Sequence, residues 1–232
     1  MNYSIEPIGV IHSPYKEKFA VPRQPRLAPS ATARVELTGE ANTPEAVRGI
    51  EQFSHLWLLF LFDKNLEAGW RPTVRPPRLG GNERVGVFAS RATFRPNGIG
   101  MSAVELRGVT QQGAQTYLEL GSVDLVDGTP IVDIKPYIPY SDSIPTAEGG
   151  FAEHAPQTKA VLFSISAQQQ LHKHPQGSHM EAVIKEVLGQ DPRPAYKKGK
   201  ADKKEYAVHL FDLNVKFTVN NDSMTVTAID LF

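Results

Sequence analysis

The chain has 232 residues, 41% of them hydrophobic, enough to bury a full core in one large domain or in a main domain with a small appendage. Its 25 lysines and arginines balance 25 aspartates and glutamates, which argues against coating nucleic acid through an overall field and leaves that task to local basic patches. With no cysteine, disulfides, thiolate-bound zinc and a thiol nucleophile are excluded, and a reducing compartment fits.

The start, Met1 to Pro7, carries neither a basic n-region nor an apolar h-region, and no apolar run approaches a membrane span. A soluble cytoplasmic protein is therefore expected. Ile8 to Ile11 reads as a first strand. The proline-rich loop from His12 to Pro25 follows, where fixed φ angles hold Arg23 and Gln24 extended with their side chains projecting. Ala33 to Leu37 alternates as a strand does, and Thr43-Pro44-Glu45 offers an N-cap and a first-turn proline for a short helix through Val47 and Ile50. The nearly all-apolar run Phe53 to Phe62 suits a central strand buried on both faces, with His55 as a satisfied core histidine and Asp63 and Lys64 ending the strand. Proline recurs too often between Trp70 and Arg78 for regular structure, so this segment reads as a rigid basic arm carrying Arg71, Arg75 and Arg78.

Arg78 to Ser102 is the most distinctive stretch. Five glycines punctuate it, and Arg78, Arg84, Arg91 and Arg95 face a single acid, Glu83. Backbone amides and guanidinium groups are offered together, as a surface holding an anion or polar ligand requires. Within it, Val85 to Phe88 reads as a short strand delivering Ser90 and Arg91 to its far end. Val104 to Arg107 and Tyr117 to Leu120 alternate apolar with charged residues, and Asp127-Gly128 reads as a hairpin turn between Val123–Val126 and Ile131–Ile134. Asp124, Asp127 and Asp133 match no metal loop, and turn aspartates commonly cap their own backbone, so no metal is expected. About seven short strands in this half suggest a barrel-like sheet rather than βαβ units.

Ser141 to Thr158 has the composition of a linker, and Ala160 to Ser166 reads as a strand. Ser178-His179-Met180-Glu181 has the form of a capping box, opening a helix with the apolar stripe Met180, Val183, Ile184, Val187 and Leu188, which Gly189 stops. The loop Gln190 to Lys200 then presents Asp191, Arg193, Tyr196 and Lys197, groups that accept a proton, pair with phosphate and stack on a base. Three closing strands near Tyr206–Asp212, Val215–Val219 and Met224–Leu231 complete a small α+β appendage. No glycine fingerprint of a Rossmann cradle follows a strand and opens a helix.

The central stretch, with Phe53-Ser54-His55-Leu56-Trp57 before it and Asp124 to Pro130 and Asp191-Pro192-Arg193-Pro194-Ala195-Tyr196 after it, resembles the TrmO (YaeB-like) family. One departure lies at Asn97-Gly98-Ile99-Gly100, where the family pattern has proline at position 98, a change that loosens the turn. The resemblance implies a mainly β fold: a small closed β-barrel binding S-adenosylmethionine over residues 1–145, and a C-terminal α+β domain over 146–232 contributing to tRNA binding. It also implies a homodimer that methylates N6 of N6-threonylcarbamoyladenosine at tRNA position 37, in the anticodon loop. The cofactor contacts it implies are Arg23, Gln24 and Pro25, then Asp63 and Lys64 through their main chain, Arg91, Met101, and Leu125, Val126, Asp127 and Gly128. Asp191 is expected as proton acceptor or relay and Tyr196 as the base-orienting group. Arg71, Arg75, Arg78, Arg95, Arg193 and Lys197 are expected on tRNA. A non-catalytic RNA-binding module and a small-molecule S-adenosylmethionine enzyme remain open alternatives.

Overall fold

The computed structural model describes residues 3–198 and 200–232, with the backbone alone at Lys203. Met1, Asn2 and Gly199 lie outside the described residues. Twelve strands and four α-helices follow one another among them: β1 (Gly9–His12), β2 (Thr32–Leu37), β3 (His55–Leu61), α1 (Asp63–Leu66), β4 (Thr73–Val74), β5 (Val85–Gly86), β6 (Ile99–Gln112), β7 (Gln115–Ser122), β8 (Pro130–Pro136), α2 (Pro139–Asp142), β9 (Ala160–Phe163), α3 (Ile165–His172), α4 (Gly177–Gly189), β10 (Asp202–Leu210), β11 (Leu213–Val219) and β12 (Ser223–Leu231).

Six strands close a barrel in the order β1-β2-β7-β6-β3-β8, and β8 returns to β1 through Gly9 opposite Ile131. The barrel thus has six strands where about seven were expected. Val123 to Val126 joins no ladder, and its backbone is taken up by the loop after β1. There Ser13 Oγ donates to the Leu125 carbonyl at 2.8 Å, and the Asp127 amide donates to the Tyr15 carbonyl at 2.8 Å. Alternation puts Leu56, Leu58 and Phe60 of β3 inside, against Ile11, Val35, Val104, Leu118 and Ile131. Each such side chain contributes about 1.5–3 kcal/mol by leaving water. The other face of β3 is half-covered, so the strand is buried on one face. His55 is partly exposed there, its Nδ1 3.0 Å from Ser54 Oγ.

Two further segments of the N-terminal half differ from their sequence reading. Thr43 to Gln52 forms successive three-residue turns, with the Ala46, Arg48, Ile50 and Gln52 amides bonding to the carbonyls three residues back and left-handed Gly49 within the run. The proline-rich arm holds a two-residue ladder, Thr73–Val74 against Val85–Gly86.

The C-terminal sheet has the order β10-β11-β12-β9, with β9 parallel to β12, and α3 and α4 pack against it. The whole apolar stripe of α4 is buried, as expected. Its N-cap is Gln176 rather than Ser178, so the capping-box spacing is fortuitous. Its stop is left-handed Asp191 (φ 52°), one residue past the Gln190 cap, while Gly189 is still helical. α3 has no strong apolar periodicity, and its first two residues fall in the span Ala160 to Ser166 that reads as a strand; Ser164 caps it by accepting from the Ala167 amide at 3.1 Å. The two lobes share one apolar core and are tied at two seams. Tyr15 bridges to Leu210, and Glu186 of α4 accepts from the Ser30 amide and hydroxyl at 2.8 and 2.7 Å.

Candidate functional site

Inward-facing side chains fill the barrel, so a ligand must sit at its end. The cavity there opens where β3 ends and β6 begins, with Phe60 opposite Gly100, Leu59 opposite Met101 and Leu58 opposite Ser102. Five loops rise around it, contributing residues from the spans 18–24, 62–65, 71–77 and 90–95 and from 124–126 with Thr129, and the cavity volume is about 1170 Å³. The wall carries eight basic side chains and two carboxylates, Asp63 and Asp124.

Gly100 sets the floor. A β-carbon built on it would lie 2.3 Å from the Phe60 ring and 2.9 Å from Phe62, whose rings meet edge to face at 5.3 Å. Only hydrogen fits between strand and ring. Gly100→Ala is expected to lower stability by about 1–3 kcal/mol, the cost of overpacking, read as a lower urea midpoint with an unchanged slope.

Of the positions expected to hold the cofactor, Arg23, Gln24, Asp63, Lys64, Arg91, Met101, Leu125 and Val126 all line this cavity, although they come from five separate stretches of chain. Arg91 Nη1 donates to Gln24 Oε1, linking two of the loops. The Lys64 carbonyl accepts from Lys18 Nζ at 2.7 Å. Pro25, Asp127 and Gly128 do not line the cavity. The expectation that Asp127 faces the cofactor is corrected by its partners: one oxygen accepts the Ser13 amide at 2.9 Å and the other Lys16 Nζ at 2.8 Å, so the carboxylate braces the turn.

Among the basic residues, Arg71, Arg75 and Arg95 line the cavity. Arg71 stacks its guanidinium 5.3 Å from the Phe94 ring centroid, and Arg95 Nη1 donates to the Ser90 carbonyl at 3.1 Å. Arg78 lies outside, donating to the His154 carbonyl and tying the central stretch to the linker.

The loop after α4 departs most from its sequence reading. Asp191 is 4% exposed and Arg193 0% exposed, and they form a two-pronged pair: Nε to Oδ1 and Nη2 to Oδ2, both 2.8 Å. Burial pushes the Asp191 carboxyl up, but the hydrogen bonds and charge of Arg193, with Lys198 nearby, more than offset this and hold it below the usual carboxylate range. A carboxylate so held is a poor proton acceptor, and a guanidinium so buried cannot meet a phosphate. Lys197 is also engaged, donating to Asp202 Oδ2 and Tyr206 Oη at 2.8 Å each, and these bonds raise its pKa. Asp191, expected as acceptor or relay, and Arg193 and Lys197, expected on tRNA, are thus engaged by partners within the chain. Tyr196, by contrast, stands 67% exposed at the crest of the loop. The loop docks on the barrel through Gln190 Nε2, which donates to the Leu27 carbonyl at 3.0 Å, and Ala195 packs against Gly81.

Sequence reasoning missed Asp124, Ser102, Lys18 and Arg84 as cavity residues. Asp124 was read as a turn aspartate. In the fold it is partly buried in the cavity wall, where its Oδ1 accepts from Ser102 Oγ at 2.7 Å. Burial pushes its carboxyl up to about 6, while the Ser102 hydrogen bond, its own amide and the charge of Arg91 pull the other way. Among the described residues, no group of three or more His, Cys, Asp or Glu is arranged to hold a metal ion, and no helix is long and apolar enough to cross a membrane.

Known proteins share this architecture over its whole length. The family model described as tRNA-methyltransferase O N-terminal domain matches residues 10–143, and that of the TrmO C-terminal domain matches residues 156–231. The chain is 53% identical over 234 residues to the tRNA (adenine(37)-N6)-methyltransferase of Escherichia coli K12, covering 99% of this chain and 98% of the relative. It is 50% identical over 217 residues to a Pseudomonas aeruginosa protein named putative S-adenosylmethionine-dependent methyltransferase RcsF, covering 93% and 92%. The crystal structure of TrmO from Pseudomonas aeruginosa superposes with a TM-score of 0.82 at 41% identity, over 99% of both chains.

Proposed function

The chain belongs to the tRNA-methyltransferase O family, and on that premise we propose that it methylates N6 of N6-threonylcarbamoyladenosine at position 37 of tRNA, with the reaction seated in the cavity at the barrel end. Its class is that of an S-adenosylmethionine-dependent tRNA methyltransferase. The observation that carries the site is the cavity itself. At about 1170 Å³ it exceeds the range of roughly 300–1,000 Å³ usual for one small ligand, so a donor and a flipped-out base can share it.

The lining suits the donor. Phe60, Phe62, Met101 and Leu125 supply apolar surface, and Arg23 and Arg91 supply charge for a carboxylate. When bound, S-adenosylmethionine supplies a methyl group on a positively charged sulfur. Arg71, Arg75, Arg84 and Arg95 ring the remaining space and suit the threonyl carboxylate of the substrate or the phosphates beside it. Tyr196, exposed on the docked loop, suits stacking on a base. Because the N6 lone pair is delocalised, alignment of the two reactants is the main contribution of these walls.

We further take residues 1–145 as the cofactor-binding part and 146–232 as a contributor to tRNA binding, in a cytoplasmic homodimer. The exposed side chains of Tyr140, Ile144 and Phe151, close together in the chain, support a partner surface.

Radiolabelled S-adenosylmethionine, incubated with threonylcarbamoylated and with unmodified tRNA, tests the reading. Label is expected in the modified tRNA alone. Transfer to a small molecule without tRNA, or no binding of the donor by calorimetry, would each overturn it. Arg91→Ala is expected to weaken donor binding about 10- to 100-fold, since a charge-assisted hydrogen bond contributes about 1.5–3 kcal/mol.

A further inference from the structure

If the proposed reaction is the right one, it leaves a proton to be placed. Forming the N6–C bond breaks the C–S bond, and the electron pair of that bond stays on sulfur, leaving a neutral thioether. The nitrogen must then lose the hydrogen it carried. Asp191 is unsuited to take it, being locked in its pair with Arg193.

Asp124 has the attributes that Asp191 lacks. It lies in the cavity wall, between the loop before β8 and the start of β6, with Leu125 and Met101 as neighbours in the lining. One oxygen, Oδ1, is oriented by Ser102 Oγ at 2.7 Å, and Ser102 is itself buried on β6. Among the described residues no lysine, arginine or histidine closes an ion pair with it; Arg91, from the loop after β5, acts on it only through its longer-range charge. From the loop after β1 it is faced by Tyr15, a buried phenol whose hydroxyl has no hydrogen-bond partner and whose pKa burial and the Asp124 charge raise. On its own loop Asp127 is neutralised by Lys16. Tyr15 therefore stays protonated, and of the two carboxylates in the wall, Asp63 and Asp124, it is Asp124 that Ser102 orients and burial desolvates.

We propose that Asp124, aimed by Ser102, is the catalytic residue that accepts the N6 proton as the methyl group is transferred, which rests on the reading of the cavity as the methyl-transfer site. A base poised near neutrality serves this step best, and burial has brought this carboxyl toward it.

The test uses the full chain with tRNA and S-adenosylmethionine. Single-turnover transfer by Asp124→Asn is expected to fall by about 100-fold or more, the usual range for a lost general base, with donor affinity by calorimetry unchanged. In wild type the rate should rise with pH through about 6, the value burial gives this carboxyl. Ser102→Ala removes a hydrogen bond that favours the charged form, so the acid limb of its profile should move to higher pH. Independently of activity, carboxyl NMR of the donor-free protein should show one aspartate titrating near pH 6 that is missing in Asp124→Asn. A wild-type rate in Asp124→Asn, or an unaltered profile in Ser102→Ala, overturns the assignment while leaving the methyltransferase reading intact. Loss of donor binding in Asp124→Asn with a normal rate at saturation overturns it too, making Asp124 a holding group. Failure of wild type to methylate tRNA would instead sink the reading beneath it.

Discussion

Arg193→Met is expected to destabilise the protein by about 3–5 kcal/mol at pH 7, because it leaves the Asp191 carboxylate buried without its partner. For a chain of this size that corresponds to a fall in Tm on the order of 10 °C, at about 2–4 °C per kcal/mol. Lys159 Nζ, 3.8 Å from Asp191 Oδ2, is too distant and offers no second prong. The pH dependence carries the diagnosis. In wild type the folded pKa of Asp191 is depressed, so its stabilisation is present above the unfolded value near ~4 and is lost as pH falls through the folded value. In the variant, burial without Arg193 raises the folded pKa, so stability instead falls as pH rises through ~4 and beyond. Denaturant melts at pH 3.5 and 7 should therefore show a gap between the two proteins that narrows in acid. Replacing both residues together, Asp191→Leu with Arg193→Met, should recover most of the loss, since an apolar pair of similar volume often matches a buried ion pair. If Arg193→Met melts with wild type at both pH values, the buried pair does not hold this loop.

Gly98→Pro is expected to cost about 3 kcal/mol or more in this chain. Three effects add. Gly98 has φ +61°, whereas the proline ring fixes φ near about −65°. The Gly98 amide donates to the Arg95 carbonyl at 3.1 Å, a bond proline cannot make. A β-carbon at this position would lie 2.4 Å from Leu66 Cδ2, although that methyl can move. Asn97 is also left-handed, at φ 63°, a conformation disfavoured before proline. Because this turn feeds directly into Gly100 and Met101 of β6, the loss should extend to the cavity and weaken ligand binding along with stability. The measurement is a urea melt of Gly98→Pro beside Gly98→Ala. Alanine should fall between the two, since it meets the positive φ and Leu66 but keeps the amide. A proline variant as stable as wild type would mean that the backbone at 97 and 98 is not left-handed.

The sequence carried those features that depend on near neighbours along the chain. The apolar stripe of α4 and the alternation in β2, β6 and β7 were legible because a helix and a strand each impose a period on burial. The ligand loops were legible through proline, glycine and arginine spacing and through long, unusual motifs. The barrel class was legible in this way, and the resemblance those motifs carry named part of the cavity lining beforehand, including Arg23, Gln24, Arg91 and Met101. Helix caps and short turns were less secure: Ser178 had the right spacing for a cap, but the backbone had already entered the helix at Gly177.

Charge state and partnership were decided in three dimensions. Asp124, Asp127 and Asp191 are alike as letters, yet one is desolvated in a wall beside Ser102, one braces a turn through Lys16, and one is locked to Arg193. For Asp124 and Asp127 the partners come from distant segments, so no window of sequence contains the cause. For Asp191 the partner is two residues away, but only the packing of α4, β9 and β10 around the loop excludes water and makes the pair buried rather than solvated. Local pattern fixes which faces turn inward; desolvation, which sets the chemistry of a carboxylate, belongs to the assembled fold.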